Sequence, residues 1–255
     1  MGFLPEQLTQ DGFLNGRLRL WQPRTGYRAA TDPVFLAACV PARSGESVLE
    51  LGCGVGTALL CLGQRVAGLS LAGVEMQADY AELARRNAVE NNQAAEIAIA
   101  DFTNLPPDLR AASFDHVLAN PPYSVPGSGT KAADSSKDRA NVEETPLDAW
   151  IDTAIRRLKP KGLLSLIHQS ARLPEILAAL DTRVGGIEVK PLAARTGQPA
   201  GRILLRAYKG SHAAFCLHPP LILHEGVRHL KDRDSFTNAV QAVLRDGAAL
   251  KFSET

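Results

Sequence analysis

The chain has 255 residues, 45% hydrophobic and 22% charged, with a net charge of +1, which is enough apolar material for one large domain or one domain with appendages. The near-neutral balance excludes the global polycationic character that binds nucleic acid wholesale, and four cysteines are too few for a disulfide framework, fitting free and mostly buried thiols instead. With no apolar run of bilayer length, no basic-then-apolar leader at Met1-Gly2-Phe3-Leu4-Pro5-Glu6 and no internal repeat, the expectation is a cytoplasmic protein.

Residues 14–21, Leu-Asn-Gly-Arg-Leu-Arg-Leu-Trp, carry an Asn-Gly turn followed by alternation, which predicts a hairpin ended by Pro23. Tyr27-Arg28-Ala29-Ala30 leads to Thr31-Asp32-Pro33, a capping oxygen with proline in the first turn, ahead of an apolar helix over 34–40. Capping by itself accounts for Thr31 and Asp32. A short buried strand is predicted over 47–51, then Gly52-Cys53-Gly54-Val55-Gly56, then an apolar helix over 57–66. Strand, glycine turn and helix start form a cradle in which backbone can approach a ligand closely. The spacing departs from G-x-G-x-x-G, and an acid, Glu50, precedes the first glycine. That suits a ligand carrying an ammonium group better than a pyrophosphate.

A second strand over 69–75 ends in Glu75, about 20 residues after the glycine loop, where a carboxylate can accept two ribose hydroxyls. A surface acid at a strand end is the alternative. Residues 76–92 predict an amphipathic helix with Tyr80, Leu83, Ala84 and Ala88 on one face. A third strand over 96–101 ends in Asp101, and Phe102 follows, placed to lie against a ring. A fourth, over 114–119, runs into Asn120-Pro121-Pro122-Tyr123. Two prolines can neither extend a sheet nor enter a helix interior, so the strand ends in a polar amide, a rigid turn and an aromatic ring. The Asn120 side-chain oxygen and a proline carbonyl can accept the two protons of a planar amino group while Tyr123 stacks on its ring. An Asn-Pro turn taken alone is ordinary.

From 124 to 145 the composition shifts to Gly, Ser, Ala and charge, with Lys131, Lys137 and Arg139, which reads as a long lid-like or disordered loop. A helix over 146–158 follows, and Arg156, Arg157, Lys159 and Lys161 at its end read as a solvated terminus rather than a nucleic-acid patch. Further elements are a strand over 162–168, a helix over 173–180, strands over 187–193 and 202–208, and in the tail a strand near 221–223 and a helix near 236–244. Cys216, His218, His224 and His229 in the tail match no zinc spacing, so no metal is expected.

Four strand ends thus carry, in order, Glu50 with Gly52, Gly54 and Gly56, then Glu75, then Asp101, then Asn120-Pro121-Pro122-Tyr123. This ordered set resembles the class I S-adenosylmethionine-dependent methyltransferases over roughly residues 28 to 210. The resemblance implies an α/β fold: a Rossmann-like seven-stranded sheet flanked by helices over 43–210, an N-terminal hairpin and helix extension over 1–42, and a short C-terminal appendage over 211–255. It further implies S-adenosylmethionine as cofactor and S-adenosylhomocysteine as product. The loop over 50–56 would approach the methionine part, with Thr31 and Asp32 helping to place it. Glu75, with Met76 beside it, would hold the ribose; Asp101 and Phe102 would address the adenine; and Asn120 to Tyr123 would position the target nitrogen next to the donated methyl.

Within that class the Asn-Pro-Pro-Tyr turn marks methylation of planar amino groups: adenine N6, guanine N2 or a glutamine amide. The hairpin, Gly26-Tyr27-Arg28 and Arg202-Ile203-Leu204-Leu205-Arg206 are most similar to the bacterial tRNA1(Val) (adenine-N6)-methyltransferase family of small-domain methyltransferases, which implies RNA, and tRNA in particular, as the partner. A guanine-N2 methyltransferase of ribosomal RNA stays open. A protein glutamine-N5 methyltransferase is disfavoured, because the residues before the first core strand begin with a hairpin rather than a helical partner-binding domain. Candidates for phosphate contacts are Arg28, Lys131, Lys137 and Arg139, with Arg195 and Arg202.

Overall fold

The computed structural model describes residues 2–123, 145–226 and 235–253. The chain opens with a hairpin of β1 (Leu8–Phe13) and β2 (Leu18–Pro23), followed by α1 (Asp32–Cys39). Then come β3 (Ser47–Leu51), α2 (Thr57–Arg65), β4 (Ser70–Glu75), α3 (Ala78–Glu90) and β5 (Ala95–Ile99). A 3-10 turn (Phe102–Asn104) and α4 (Pro107–Ala111) lead to β6 (Phe114–Ala119). The second half holds α5 (Leu147–Arg157), β7 (Leu158–Gln169), α6 (Leu173–Ala179), β8 (Val184–Ala193) and β9 (Ala200–Lys209). Two short strands, β10 (Cys216–Leu217) and β11 (Leu221–Ile222), and α7 (Asn238–Leu244) complete it.

β3, β4, β5, β6 and β7 pair in parallel, whereas β9 runs antiparallel between β7 and β8. The sheet order is β10-β8-β9-β7-β6-β3-β4-β5, with β11 also on β8. Seven of these strands form the expected sheet. The sheet nevertheless has nine, because two-residue segments of the tail pair in parallel with the edge strand β8. Segments so short carry no periodicity. Strands β3 and β6 are buried along nearly their whole length, as expected of parallel strands covered on both faces. They lie side by side, yet the chain leaves β3 towards β4 and β6 towards β7. A crevice therefore opens beyond their carboxyl ends, where such sheets hold ligands.

The hairpin differs from a two-residue Asn-Gly turn. Leu14, Asn15, Gly16 and Arg17 all lie in the loop, with φ of 51° at Leu14 and 56° at Asn15. A left-handed leucine costs about 1 kcal/mol, and here it puts the Leu14 side chain into the core. Leu18 and Leu20 are fully buried, each contributing roughly 1.5–3 kcal/mol. Asn87 of α3 docks the hairpin: its Oδ1 accepts the Trp21 N–H at 2.8 Å, and its Nδ2 donates to the carbonyls of Trp21 at 3.1 Å and Val55 at 3.0 Å. The tail closes the same core, in which Val240, Val243, Leu250 and Phe252 cluster with Phe35 and Leu36 of α1.

The basic cluster at the end of α5 is a solvated helix end only in part: Arg156 and Lys161 are exposed, but the other two are tied down. Lys159 belongs to β7 and pairs with Asp115 at 2.8 Å, while Arg157 donates to the carbonyls of Leu109, Arg110 and Ala112. Cys39, Cys53 and Cys61 are buried and Cys216 exposed, all as free thiols. In the tail, His218 Nε2 lies 3.0 Å from Glu188 and His224 Nδ1 lies 3.0 Å from the Ser235 hydroxyl. His229 falls outside the described residues.

Candidate active site beyond the parallel strand ends

The glycine loop between β3 and α2 has positive φ at Gly52 (+62°), Gly54 (+54°) and Gly56 (+84°). The three do different work. A Cβ on Gly52 would meet the Trp150 ring at 2.5 Å, so this glycine lets a side chain from a distant element close over the loop, whereas one on Gly54 would only touch the Tyr27 ring at 3.5 Å, and there the positive φ is the constraint. Gly56 begins α2, and a Cβ there would meet Ala84 and Leu60, which makes it a packing position. Glu50 is turned away from the loop's open side. Its Oε2 accepts the Leu59 N–H at 2.9 Å inside α2, and burial pushes its pKa up to about 8.

Glu75, at the end of β4, accepts the Gly54 N–H at 2.9 Å on Oε2 and the Gln77 N–H at 2.9 Å on Oε1. Burial raises its pKa, and these backbone donors oppose the rise. The carboxylate therefore locks the glycine loop to the next strand end while standing at the crevice. Asp101 lies past the end of β5 and caps the 3-10 turn, its Oδ1 accepting from the Thr103 N–H and hydroxyl, both at 2.8 Å. Phe102 packs on Trp150, with ring centroids 4.1 Å apart.

Asn120 directly follows β6. Its Nδ2 donates to the Tyr27 hydroxyl at 3.4 Å, and its Oδ1 lies 3.2 Å from the Tyr123 hydroxyl. That hydroxyl donates to Asp32 Oδ2 at 2.5 Å. Thr31 makes no side-chain cap and Asp32 does not cap α1 either, which corrects the capping expectation. The Asp32 carboxylate is aimed instead at Tyr123 and at Arg202, whose Nε donates to it at 3.0 Å. Beneath the turn lies His168, fully buried, its Nδ1 accepting the Gln169 N–H at 2.8 Å and its ring centroid 5.0 Å from that of Tyr123. Burial lowers its pKa to about 4, so it is neutral at physiological pH.

One cavity of about 450 Å³ gathers most of these groups. Gly52 and Gly54 reach it from the loop, Glu75 and Met76 from the end of β4, and Asp101 and Phe102 from beyond β5. Asn120, Pro121, Pro122, Tyr123 and Asp32 complete that set. Thr31, Glu50 and Gly56 do not line it. Tyr27, Tyr80 and Trp150 do, and no local pattern in the sequence assigns them to a ligand site. Tyr27 sits in an irregular segment, and Tyr80 and Trp150 occupy apolar-face positions that any core aromatic would fill. Trp150 Nε1 is a buried donor without a hydrogen-bond partner among the described residues. Open backbone, three carboxylates (Asp32, Glu75 and Asp101) and an aromatic shelf fit a ligand that combines a flat ring, a diol and a polar end.

Three of the arginines read as phosphate contacts have internal partners instead. Arg28 ties the hairpin, donating to Asp11 at 2.6 Å, Thr9 at 2.8 Å and the Pro23 carbonyl at 2.7 Å. Arg195 donates to the carbonyls of Glu225 and Gly226. Arg202 is the Asp32 partner. Lys131, Lys137 and Arg139 lie outside the described residues.

The profile of the methyltransferase small domain family matches residues 30–190. The tRNA1(Val) (adenine(37)-N6)-methyltransferase of Dickeya chrysanthemi (strain Ech1591) is 27% identical over 244 residues, covering 94% of this chain and 94% of that protein. The protein of the same name from Porphyromonas gingivalis (strain ATCC 33277) is 33% identical over 175 residues, or 65% of this chain and 68% of that one. Among solved structures, a predicted O-methyltransferase, protein Atu636 from Agrobacterium tumefaciens, matches with a TM-score of 0.69 at 30% identity over 86% of this chain and 98% of that chain.

Proposed function

The chain belongs to the methyltransferase small domain family, and on that premise we propose that it methylates an exocyclic amino nitrogen of a nucleobase in RNA, adenine N6 in a tRNA, with S-adenosylmethionine as methyl donor. The observation that carries this reading is the placement of the Asn120-Pro121-Pro122-Tyr123 turn on the same cavity as Glu75, Asp101 and the glycine loop. Residues 43–210 are the methyl-transfer domain in this reading, and a tRNA substrate puts the protein in the cytoplasm. No helix among the described residues is long and apolar enough to cross a membrane.

Glu75 is the group to hold the ribose hydroxyls, Asp101 and Phe102 the adenine, and Gly52 and Gly54 the methionine end. Met76 stands at the rim, 59% exposed. When bound, S-adenosylmethionine supplies an electrophilic sulfonium methyl and leaves as S-adenosylhomocysteine. A ring-conjugated NH2 is a poor nucleophile, because its lone pair is delocalised. Asn120 Oδ1 and a proline carbonyl accept its two protons, favouring a pyramidal nitrogen with its lone pair turned out of the ring, while Tyr123 stacks on the base. That nitrogen forms the new N–C bond and then sheds a proton to water, for Asn120 is neutral and cannot act as a strong base. Positioning and oriented dipoles supply the catalysis. Two acceptors side by side, Asn120 Oδ1 and a proline carbonyl, match the two protons of an amino group where a hydroxyl has one, which favours N- over O-methylation.

Asn120→Ala is expected to leave S-adenosylmethionine affinity within about threefold and to lower single-turnover methyl transfer to unmodified tRNA by about a hundredfold or more, the scale of one lost transition-state contact. Nucleoside mass spectrometry of the product should show N6-methyladenosine. N2-methylguanosine in ribosomal RNA, or methylglutamine in a protein with no methyl in tRNA, would overturn the substrate assignment.

A further inference from the structure

We propose that Asp32, held in place by Arg202, is a positioning residue that takes the single hydroxyl proton of Tyr123 and so keeps Asn120 Oδ1 open to an amino N–H of the substrate. The proposal rests on the methyltransferase reading and assigns Asp32 a task other than placing the cofactor.

A phenol has one proton to donate. The Tyr123 hydroxyl faces two acceptors, Asp32 Oδ2 at 2.5 Å and Asn120 Oδ1 at 3.2 Å. Hydrogen bonds from a hydroxyl to a carboxylate are roughly twice as strong as neutral ones and run at about 2.5–2.7 Å. The proton therefore points at Asp32, and the lone pairs of Asn120 Oδ1 stay unspent. Three separate elements make the arrangement: Asp32 opens α1, Arg202 lies on β9, and Tyr123 follows β6. Arg202 Nε donates at 3.0 Å to the same Asp32 oxygen, and its guanidinium carbon lies 4.6 Å from the Tyr123 ring centroid. One cation thus holds both the carboxylate and the ring. Tyr27 completes the set by taking the Asn120 Nδ2–H at 3.4 Å, which fixes the end of the amide that carries the oxygen. Without Asp32 the remaining acceptor for the Tyr123 proton among the described residues is Asn120 Oδ1 itself, so the turn would fill its own substrate-binding acceptor.

Asp32, Arg202 and Tyr27 are the ionisable groups acting on the Tyr123 hydroxyl, and His168 packs on its ring. Burial and Asp32 both raise the Tyr123 pKa, which gives a readout independent of catalysis. The experiment is a double-mutant cycle of Asp32→Ala and Tyr123→Phe, with Asp32→Asn as the isosteric control. Readouts are single-turnover methyl transfer to unmodified tRNA, S-adenosylmethionine affinity by calorimetry, and titration of the Tyr123 resonance in protein labelled at tyrosine Cζ. The chain has four tyrosines, so Tyr123→Phe assigns the signal. Asp32→Ala is expected to slow transfer by about tenfold or more beside Tyr123, by less than about threefold beside Phe, and to change cofactor affinity by less than about threefold. Asp32→Asn, a neutral acceptor, should fall between. The Tyr123 resonance should titrate at lower pH in both Asp32 variants than in the wild type. An equal cost in both backgrounds, or a loss confined to cofactor affinity, overturns the proposal. If the wild type methylates no tRNA, the functional reading fails, and an unchanged Tyr123 titration would by itself overturn the clamp.

Discussion

Glu50 shows at the scale of one residue how burial changes the meaning of an acid. Its position before the glycines suggests a charge facing a ligand's ammonium group. The side chain is 3% exposed and bonded into α2, and its carboxyl holds a proton up to about pH 8 rather than the ordinary 4.5. A carboxyl whose pKa rises on folding carries more protons folded than unfolded between those two values. Its contribution to stability is therefore full at low pH and is lost as pH rises through that window. Glu50→Gln keeps an acceptor for the Leu59 N–H and removes the titration. The wild type should lose stability relative to this variant by on the order of 1 kcal/mol per pH unit between about pH 5 and pH 8, read from urea midpoints. Parallel pH profiles would show that Glu50 is ionised when folded. Asp101 and Glu75 differ from it because the backbone donors that hold them lie beside the cavity, whereas the Leu59 N–H that holds Glu50 lies inside α2, a distinction set by the chain around them and not by residue type.

At the scale of elements, the contact that shapes the cavity is between a loop and a helix far apart in sequence. Trp150 on α5 lies over Gly52 and is braced behind by Phe102. Gly52→Ala would put a Cβ into that ring and an L-residue at φ +62°. The strained backbone alone costs roughly 1–3 kcal/mol, and the braced ring cannot swing aside freely. The variant should lose at least that much stability in urea, and S-adenosylmethionine binding should weaken further than the stability loss explains. Retained affinity would mean that Trp150 is not part of the ligand wall. The hairpin teaches a related lesson. Its Asn-Gly signal is legible in sequence, but its loop is longer because burying Leu14 outweighs the cost of a left-handed leucine. Its docking on α3 runs through the amide of Asn87, with Glu90 and the following Asn91 bonding beside it, and no pattern marks these groups out.

For the whole molecule, the question is whether the tail is an appendage or part of the core. Phe252 is 3% exposed, its ring 3.9 Å below the Arg206 guanidinium carbon and 5.4 Å from the His218 ring. Its carbonyl accepts from the buried Lys190 at 3.2 Å. A buried Phe→Ala costs about 3–5 kcal/mol where neighbours cannot collapse. Phe252→Ala should thus unfold the entire molecule at lower urea in one transition. A change under about 0.5 kcal/mol would make the tail a surface strap.

The sequence by itself determined the order of parallel strands and helices, because apolar runs, glycine turns and the Asn-Pro-Pro-Tyr break are local signals. It also placed Glu75, Asp101 and Asn120 at strand ends, and strand ends in a parallel sheet share one edge. Asp32, by contrast, reads as a cap from its neighbours in the chain. Only the packing of α1 against β7 and β9 turns its carboxylate to Tyr123 and Arg202. Arg28 and Arg202 likewise read as free cations until their carboxylate partners, distant in sequence, are brought within 3.0 Å. Local sequence sets backbone conformation through steric and hydrogen-bond preferences a few residues long. The partner of a charged side chain is chosen by which elements the folded core brings together, and tertiary structure alone decides that.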